Sequence, residues 1–158
     1  MFVRPIVVCA LFIVTLSCSN SGPAQKADAP VTATSHQAPK DLSTKFATAG
    51  QVKMQLIPDH LLGKDFLPGG NLADYKTEAG EFQLFLFEAP DARAAAFTLL
   101  DWKNALPDSK YIAHMGGYYC VDQGKQVFLF SKGPYLAGVV GLPEEKADME
   151  GRKLAARL

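Results

Sequence analysis

The sequence predicts an α+β domain: an antiparallel sheet of about five strands with two main helices packed against it. Three stretches carry that expectation. In "EFQLFLFE", Phe82, Leu84 and Leu86 fall on one face and Phe85 and Phe87 on the other. Apolar residues on both faces describe a central strand covered twice. In "DARAAAFTLLDWKNAL", Ala92, Ala95, Ala96, Leu99, Trp102 and Leu106 recur at helical spacing and form one stripe. In "YYCVDQGKQVFLFSKGPYLAGVVGL", Gln123-Gly124-Lys125 and Lys132-Gly133-Pro134 separate three strand candidates. Turns that tight make an antiparallel meander.

Composition agrees with a single domain. Of 158 residues, 48% are hydrophobic and 20% charged, as in an ordinary globular protein. Lys plus Arg and Asp plus Glu both number 16, so the formal net charge is zero. That argues against electrostatic capture of nucleic acid, which needs a basic surface to displace phosphate counterions.

In chain order, Arg4 is the single charge ahead of an apolar run from Ile6 to Leu16. As a helix this run spans roughly 16 Å, about half of a ~30 Å hydrocarbon core. It suits the apolar region of a secretory signal rather than a spanning helix. Residues 19–40 lack Leu, Ile, Met and aromatic side chains but hold Pro23, Pro30 and Pro39. Such a stretch cannot bury enough apolar surface to offset chain ordering, so it reads as a disordered tether reaching roughly 25 Å. His36 is a polar linker residue within it. The globular domain is expected over residues 41–158.

Within that domain, Val52, Met54 and Leu56 alternate with Gln51, Lys53 and Gln55, the pattern of a short strand with one wet face. Pro58-Asp59 reads as the opening of a helical turn through Leu62, stopped at Gly63. Gly69-Gly70-Asn71 reads as a turn or a flexible approach to the next strand. Pro90-Asp91 opens the first helix and Pro107-Asp108 closes it. After Pro143, the last helix puts Ala147, Gly151, Leu154, Ala155 and Leu158 on one face, where Gly151 lets it lie close to the sheet.

Two resemblances add to this reading. Val14-Thr15-Leu16-Ser17-Cys18 resembles the bacterial lipobox, with Thr15 where that motif usually has leucine. The resemblance implies cleavage after residues 1–17, leaving Cys18 as the first mature residue with a diacylglycerol thioether and an N-acyl chain. Two or three chains, at ~0.8 kcal/mol per buried CH2, anchor a protein durably to a membrane. Residues 18–40 would then be a lipid-anchored tether. Ser19 after the cysteine implies the outer membrane of a bacterial envelope, facing the periplasm. The alternative is an ordinary signal cleaved near Ser17-Cys18-Ser19 with an incidental cysteine. Further on, Gly69-Gly70, Ala73 to Tyr75, the Pro90 to Ala95 junction, the Lys132-Gly133-Tyr135 turn and Leu154-Ala155 resemble the domain-of-unknown-function family numbered 6599. That resemblance covers roughly residues 60 to 158. It implies a secreted or envelope-anchored bacterial domain and brings no assigned chemistry.

Chemistry-bearing candidates are few. Alternation puts Cys120 on the side of Tyr118 and Asp122, opposite Tyr119 and Val121. An activated thiol needs a positive partner to lower its pKa, and His114 is the nearest histidine in sequence. The bland reading is a buried thiol acting as a small hydrophobe. His60, His114 and Cys120 match no metal-ligand spacing, so no metal or cofactor is expected. Asp59, Asp65 and Asp74 read as solvated acids, and there is no Gly-x-Ser-x-Gly elbow or phosphate loop. Tyr118, Tyr119, Phe128, Phe130 and Tyr135 read as core aromatics or, alternatively, a ligand face. Two function classes follow. One is a non-catalytic binding or assembly module meeting an envelope protein or small ligand around Tyr118, Tyr135 and the Lys132-Gly133 turn. The other is a small periplasmic enzyme using Cys120 and His114.

Overall fold

The computed structural model describes residues 38–158. Cys18, the signal segment 1–17 and tether residues 18–37 lie outside the described residues. The strands are β1 (Gln51–Asp59), β2 (Pro68–Thr77), β3 (Gly80–Glu88), β4 (Lys110–Ile112), β5 (Gly117–Asp122), β6 (Lys125–Lys132) and β7 (Tyr135–Val140). Helix α1 (Ala92–Asn104) joins β3 to β4, and α2 (Glu144–Ala155) follows β7. One antiparallel sheet runs β1-β2-β3-β7-β6-β5-β4. Two meanders thus meet where β3 pairs with β7. The α+β class holds, with seven strands among the described residues rather than about five.

The two faces of β3 feed two separate cores. Phe82, Leu84 and Leu86 pack with Phe128, Phe130, Ala137, Val139 and, from α2, Ala147 and Leu154. Phe85 and Phe87 pack with Leu129, Leu136 and, from α1, Ala95, Leu99 and Trp102. The helices therefore cover opposite faces of the sheet. Burying each large side chain contributes roughly 1.5–3 kcal/mol.

Both helices obey local rules. Asp91 is the N-cap of α1, its carboxylate accepting the Ala94 amide at 2.7 Å. That bond satisfies one of the orphan donors at a helix start. The buried stripe of α1 is Ala95, Leu99 and Trp102; Ala92 and Ala96 are exposed, so it is narrower than the spacing suggested. On α2, Ala147, Gly151 and Leu154 are buried as expected. A Cβ at Gly151 would stand 2.6 Å from the Phe128 ring, which is why a glycine is needed there.

The additional strands are β2 and β4. Gly69-Gly70-Asn71 lies inside β2 rather than in a turn. The glycines serve close approach: a Cβ on Gly69 would collide with the Pro58 carbonyl, and one on Gly70 with Leu61 and Leu86. Pro58 and Asp59 end β1, paired with β2 through Asp59 and Pro68, rather than opening a helix. A proline is tolerated because β1 is an edge strand. The turn comes later, as a 3-10 turn at Leu61–Gly63, with His60 and Leu62 both at positive φ. The β4 strand has three residues, too few to display alternation.

The expected turns are present. Gln123 and Gly124, at φ 50° and 78°, join β5 to β6, and Gly133 at φ 55° opens the loop between β6 and β7. Before β1, the chain forms an arm across the α2 side of the sheet. Leu42 and Phe46 are buried in that core. The fully buried Asn71 clasps the arm, its Nδ2 donating to the Lys40 carbonyl at 2.8 Å while its Oδ1 accepts the Leu42 amide at 3.0 Å. The Tyr75 hydroxyl donates to the Ala47 carbonyl at 2.6 Å.

Candidate functional site

The structure does not bring Cys120 and His114 together. Cys120 is buried on the α1 side of the sheet, its thiol directed at the Val127 carbonyl at 3.5 Å. Burial pushes its pKa up to about 11, reinforced by the Asp122 carboxylate and opposed by Lys64. An elevated pKa makes a poor nucleophile at neutral pH. His114 is exposed, and its Nε2 pairs with Asp148 of α2 at 2.6 Å on the other side of the sheet. Among the described residues no group of three or more His, Cys, Asp or Glu side chains could hold a metal ion. No helix among them is long and apolar enough to cross a membrane.

Tyr118, Tyr135 and Lys132 do not share one surface. Tyr118 packs at the margin of the α1-side core and Tyr135 at the margin of the α2-side core. Tyr118 lies against Tyr111, ring centroids 5.4 Å apart. The Lys132 ammonium donates to the Ala155 carbonyl at 2.7 Å, satisfying an orphan acceptor at the end of α2. Alternation put Tyr118 on the side of Cys120, as found, but comparing it with Tyr135 and Lys132 on other strands needs the sheet register. Phe128 and Phe130 are core, and Tyr119 is partly buried against the same cluster.

Spacing did not reveal the ionic centre of the α1 side. Asp122 is 7% exposed. It accepts from Lys64 Nζ at 2.7 Å and from Trp102 Nε1 at 2.9 Å. The turn before β2 delivers Lys64, β5 delivers Asp122 and α1 delivers Trp102. These three are far apart in the chain, and only the sheet order joins them. Every lone pair and proton so engaged is structural, and the space beside them is small, about 90 Å3.

An apolar concave feature lies on the other side. A groove of about 580 Å3 runs between α2, the β2–β3 hairpin and the arm. Ala47 and Ala49 from the arm, Leu84 from β3 and Leu154 from α2 give it an apolar lining. Tyr75 forms part of the floor, stacked on Phe82 with centroids 5.2 Å apart. Burial raises the Tyr75 pKa; the Arg157 guanidinium pulls it back and Glu150 adds to the rise. The hydroxyl thus stays protonated and holds Ala47. Lys146, Met149, Glu150, Lys153 and Arg157 form the helical wall. Their i, i+3, i+4, i+7, i+11 spacing was the available sequence signal, a second flank beside the buried stripe.

Residues carrying the family resemblance perform structural tasks here: Gly69 and Gly70 in strand approach, Lys132 at a helix end, Leu154 in the core. No family model matches the chain, and neither a curated protein nor a solved structure matches it.

Proposed function

We propose that this chain is a lipid-anchored binding module of the bacterial envelope, non-catalytic, whose ligand site is the groove between α2 and the β2–β3 hairpin. The groove carries the proposal. Its volume of about 580 Å3 falls within the roughly 300–1,000 Å3 of small-molecule clefts. Its lining is apolar with a few charged groups at the rim, the composition such clefts share. The anchor comes from the lipobox-like segment ending at Cys18, and Ser19 favours the outer membrane facing the periplasm. An anchored tether raises the effective concentration of a small domain for envelope neighbours. Tyr118, Tyr135 and Lys132 do not supply one recognition face, because Tyr118 lies on the α1 side of the sheet and the other two on the α2 side.

Two measurements test this. A lipidated Cys18 gives a mature mass increased by two or three acyl chains, and Cys18→Ala releases the protein from the detergent phase. A photoreactive side chain at Met149, on the groove wall, should then capture a ligand or partner in the native envelope, and Ala49→Trp should abolish that capture. If Ala49→Trp leaves function intact while the combined Cys120→Ser, His114→Ala variant abolishes it, the enzyme reading replaces this one.

A further inference from the structure

We infer that the α2 groove selects single-chain amphipathic anions, with the head at Arg157 and the apolar chain running toward Ala79. The inference rests on the groove being the ligand site and adds the chemical class of the ligand.

Charge on α2 is sorted by flank. Glu144 and Asp148 turn to the β4–β5 hairpin, where Lys110 meets Glu144 at 2.7 Å and His114 meets Asp148 at 2.6 Å. The groove flank carries Lys146, Lys153 and Arg157, with Glu150 as its one acid. Lys153 answers Glu150 at 2.8 Å, so that carboxylate is already compensated. Lys146 donates to the Ala79 carbonyl at 2.9 Å and closes one end of the groove, beside Glu78 of the hairpin turn. At the other end, the Arg157 guanidinium makes no ion pair among the described residues. It acts electrostatically on the Tyr75 phenol in the floor.

This asymmetry sets the orientation. An unpaired guanidinium offers a planar fork that matches carboxylate or phosphate oxygens. At the opposite end Glu78 offsets the Lys146 ammonium, which already donates to the Ala79 carbonyl, so an anionic head is drawn more strongly to Arg157. Between them, Ala47, Ala49, Leu84 and Leu154 present methyl groups, while the polar atoms of Tyr75 and Thr77 are engaged with the Ala47 carbonyl and the Ala79 amide. From Lys146 to the helix end at Ala155 the wall rises about 13.5 Å, with Arg157 just beyond, a length that suits an extended acyl chain rather than a compact polar solute. Met149, unbranched and exposed at the mouth, can repack against a chain of variable length.

The test uses the full chain carrying Cys18→Ser, which removes the proposed acylation without altering a described residue. Equilibrium dialysis compares laurate, dodecyl phosphate, dodecanol and dodecylammonium below their micelle concentrations. Laurate or dodecyl phosphate should bind at least tenfold tighter than dodecanol or the ammonium, and whichever anion is tighter identifies the head. Arg157→Gln should remove that preference, and Arg157→Lys should restore part of it. Ala49→Trp should block every probe, with circular dichroism establishing that each variant is folded. Equal binding of anion and alcohol, or an Arg157→Gln variant indistinguishable from wild type, overturns the anion class. If Ala49→Trp still blocks in that case, the groove stands as the site with another ligand class. If no probe binds, or if Ala49→Trp leaves all binding unchanged, the groove reading falls as well.

Discussion

Replacing Asp122 with alanine probes the balance of forces on the α1 side of the sheet. Its carboxylate is 7% exposed and lies 2.7 Å from Lys64 Nζ and 2.9 Å from Trp102 Nε1. At an effective dielectric of about 20, unit charges at this separation attract by about 6 kcal/mol. Desolvation of the two ions offsets most of that gain, so the intact pair contributes little net stability. Removing one partner is different. It strands a Lys64 ammonium whose side chain is only 15% exposed and leaves the indole N–H without an acceptor. An uncompensated buried charge costs roughly 3–5 kcal/mol, a large share of a domain's ~5–15 kcal/mol. Urea unfolding followed by circular dichroism should therefore show Asp122→Ala with a midpoint lowered by about 2 M or more. The combined Lys64→Met, Asp122→Leu variant should recover to within about 1 kcal/mol of wild type, because it removes both charges together. A single variant within ~1 kcal/mol of wild type, or a double variant no better than the single, would refute a buried ion pair.

Three further outcomes are expected. Cys120 should label slowly with thiol reagents at neutral pH until the protein unfolds, since its pKa lies at about 11. The sign of the pH dependence follows from a reference value of 9.0 raised in the folded state: the contribution is complete below pH 9. Between pH 9 and 11 the unfolded chain sheds its proton first, so wild type should lose stability relative to Cys120→Ala, by up to ~1.4 kcal/mol per pH unit, in melts across that range. Gly151→Ala gains about 1 kcal/mol in helix propensity, yet its Cβ would stand 2.6 Å from Phe128; overpacking of roughly 1–3 kcal/mol should prevail and lower the melting temperature. Asn71→Ala strands the Lys40 carbonyl and Leu42 amide, so it should cost about 1–3 kcal/mol and accelerate hydrogen exchange at Leu42; unchanged exchange would show that the arm does not depend on the clasp.

What could be read in the sequence depended on how local the signal was. The faces of β3, the capping Asp91, the stripe of α2 and the tight turns at Gly124 and Gly133 each sit within a few residues. They were legible. Beyond that range the reading failed for identifiable reasons. Gly69 and Gly70 looked like punctuation because a glycine needed for close approach and one needed for a turn are the same letter. The strand β1 looked half buried, but Val52 and Leu56 are exposed, because edge position is a property of the sheet and not of the strand. The groove was invisible because its wall, floor and rim come from the arm, two strands and a helix. Tyr75 entered the sequence reading only as part of the Ala73 to Tyr75 stretch of the resemblance, since nothing near it predicts that the arm returns to accept its hydroxyl.

The arrangement of α2 shows where local physics stops explaining this protein. The helix dipole accounts for Glu144 and Glu145 in the first turn and for Arg152 and Lys153 in the last. It does not account for Lys146, a cation in the first turn, where the dipole disfavours positive charge. Nor does it separate Asp148 from Lys153, which differ in flank far more than in distance from the helix ends. Flank explains both. On one side, Glu144 and Asp148 close the helix against the β4–β5 hairpin through Lys110 and His114. On the other, Lys146, Lys153 and Arg157 edge an apolar groove: Lys153 pairs with Glu150, Lys146 donates to the Ala79 carbonyl, and the Arg157 guanidinium has neither an ion pair nor a hydrogen bond among the described residues. A folding role would be served by pairing that guanidinium, and a neighbouring acid on the free flank would do it. Arg157, without an ion pair among the described residues and beside an apolar groove, is the feature on which the proposed binding role rests.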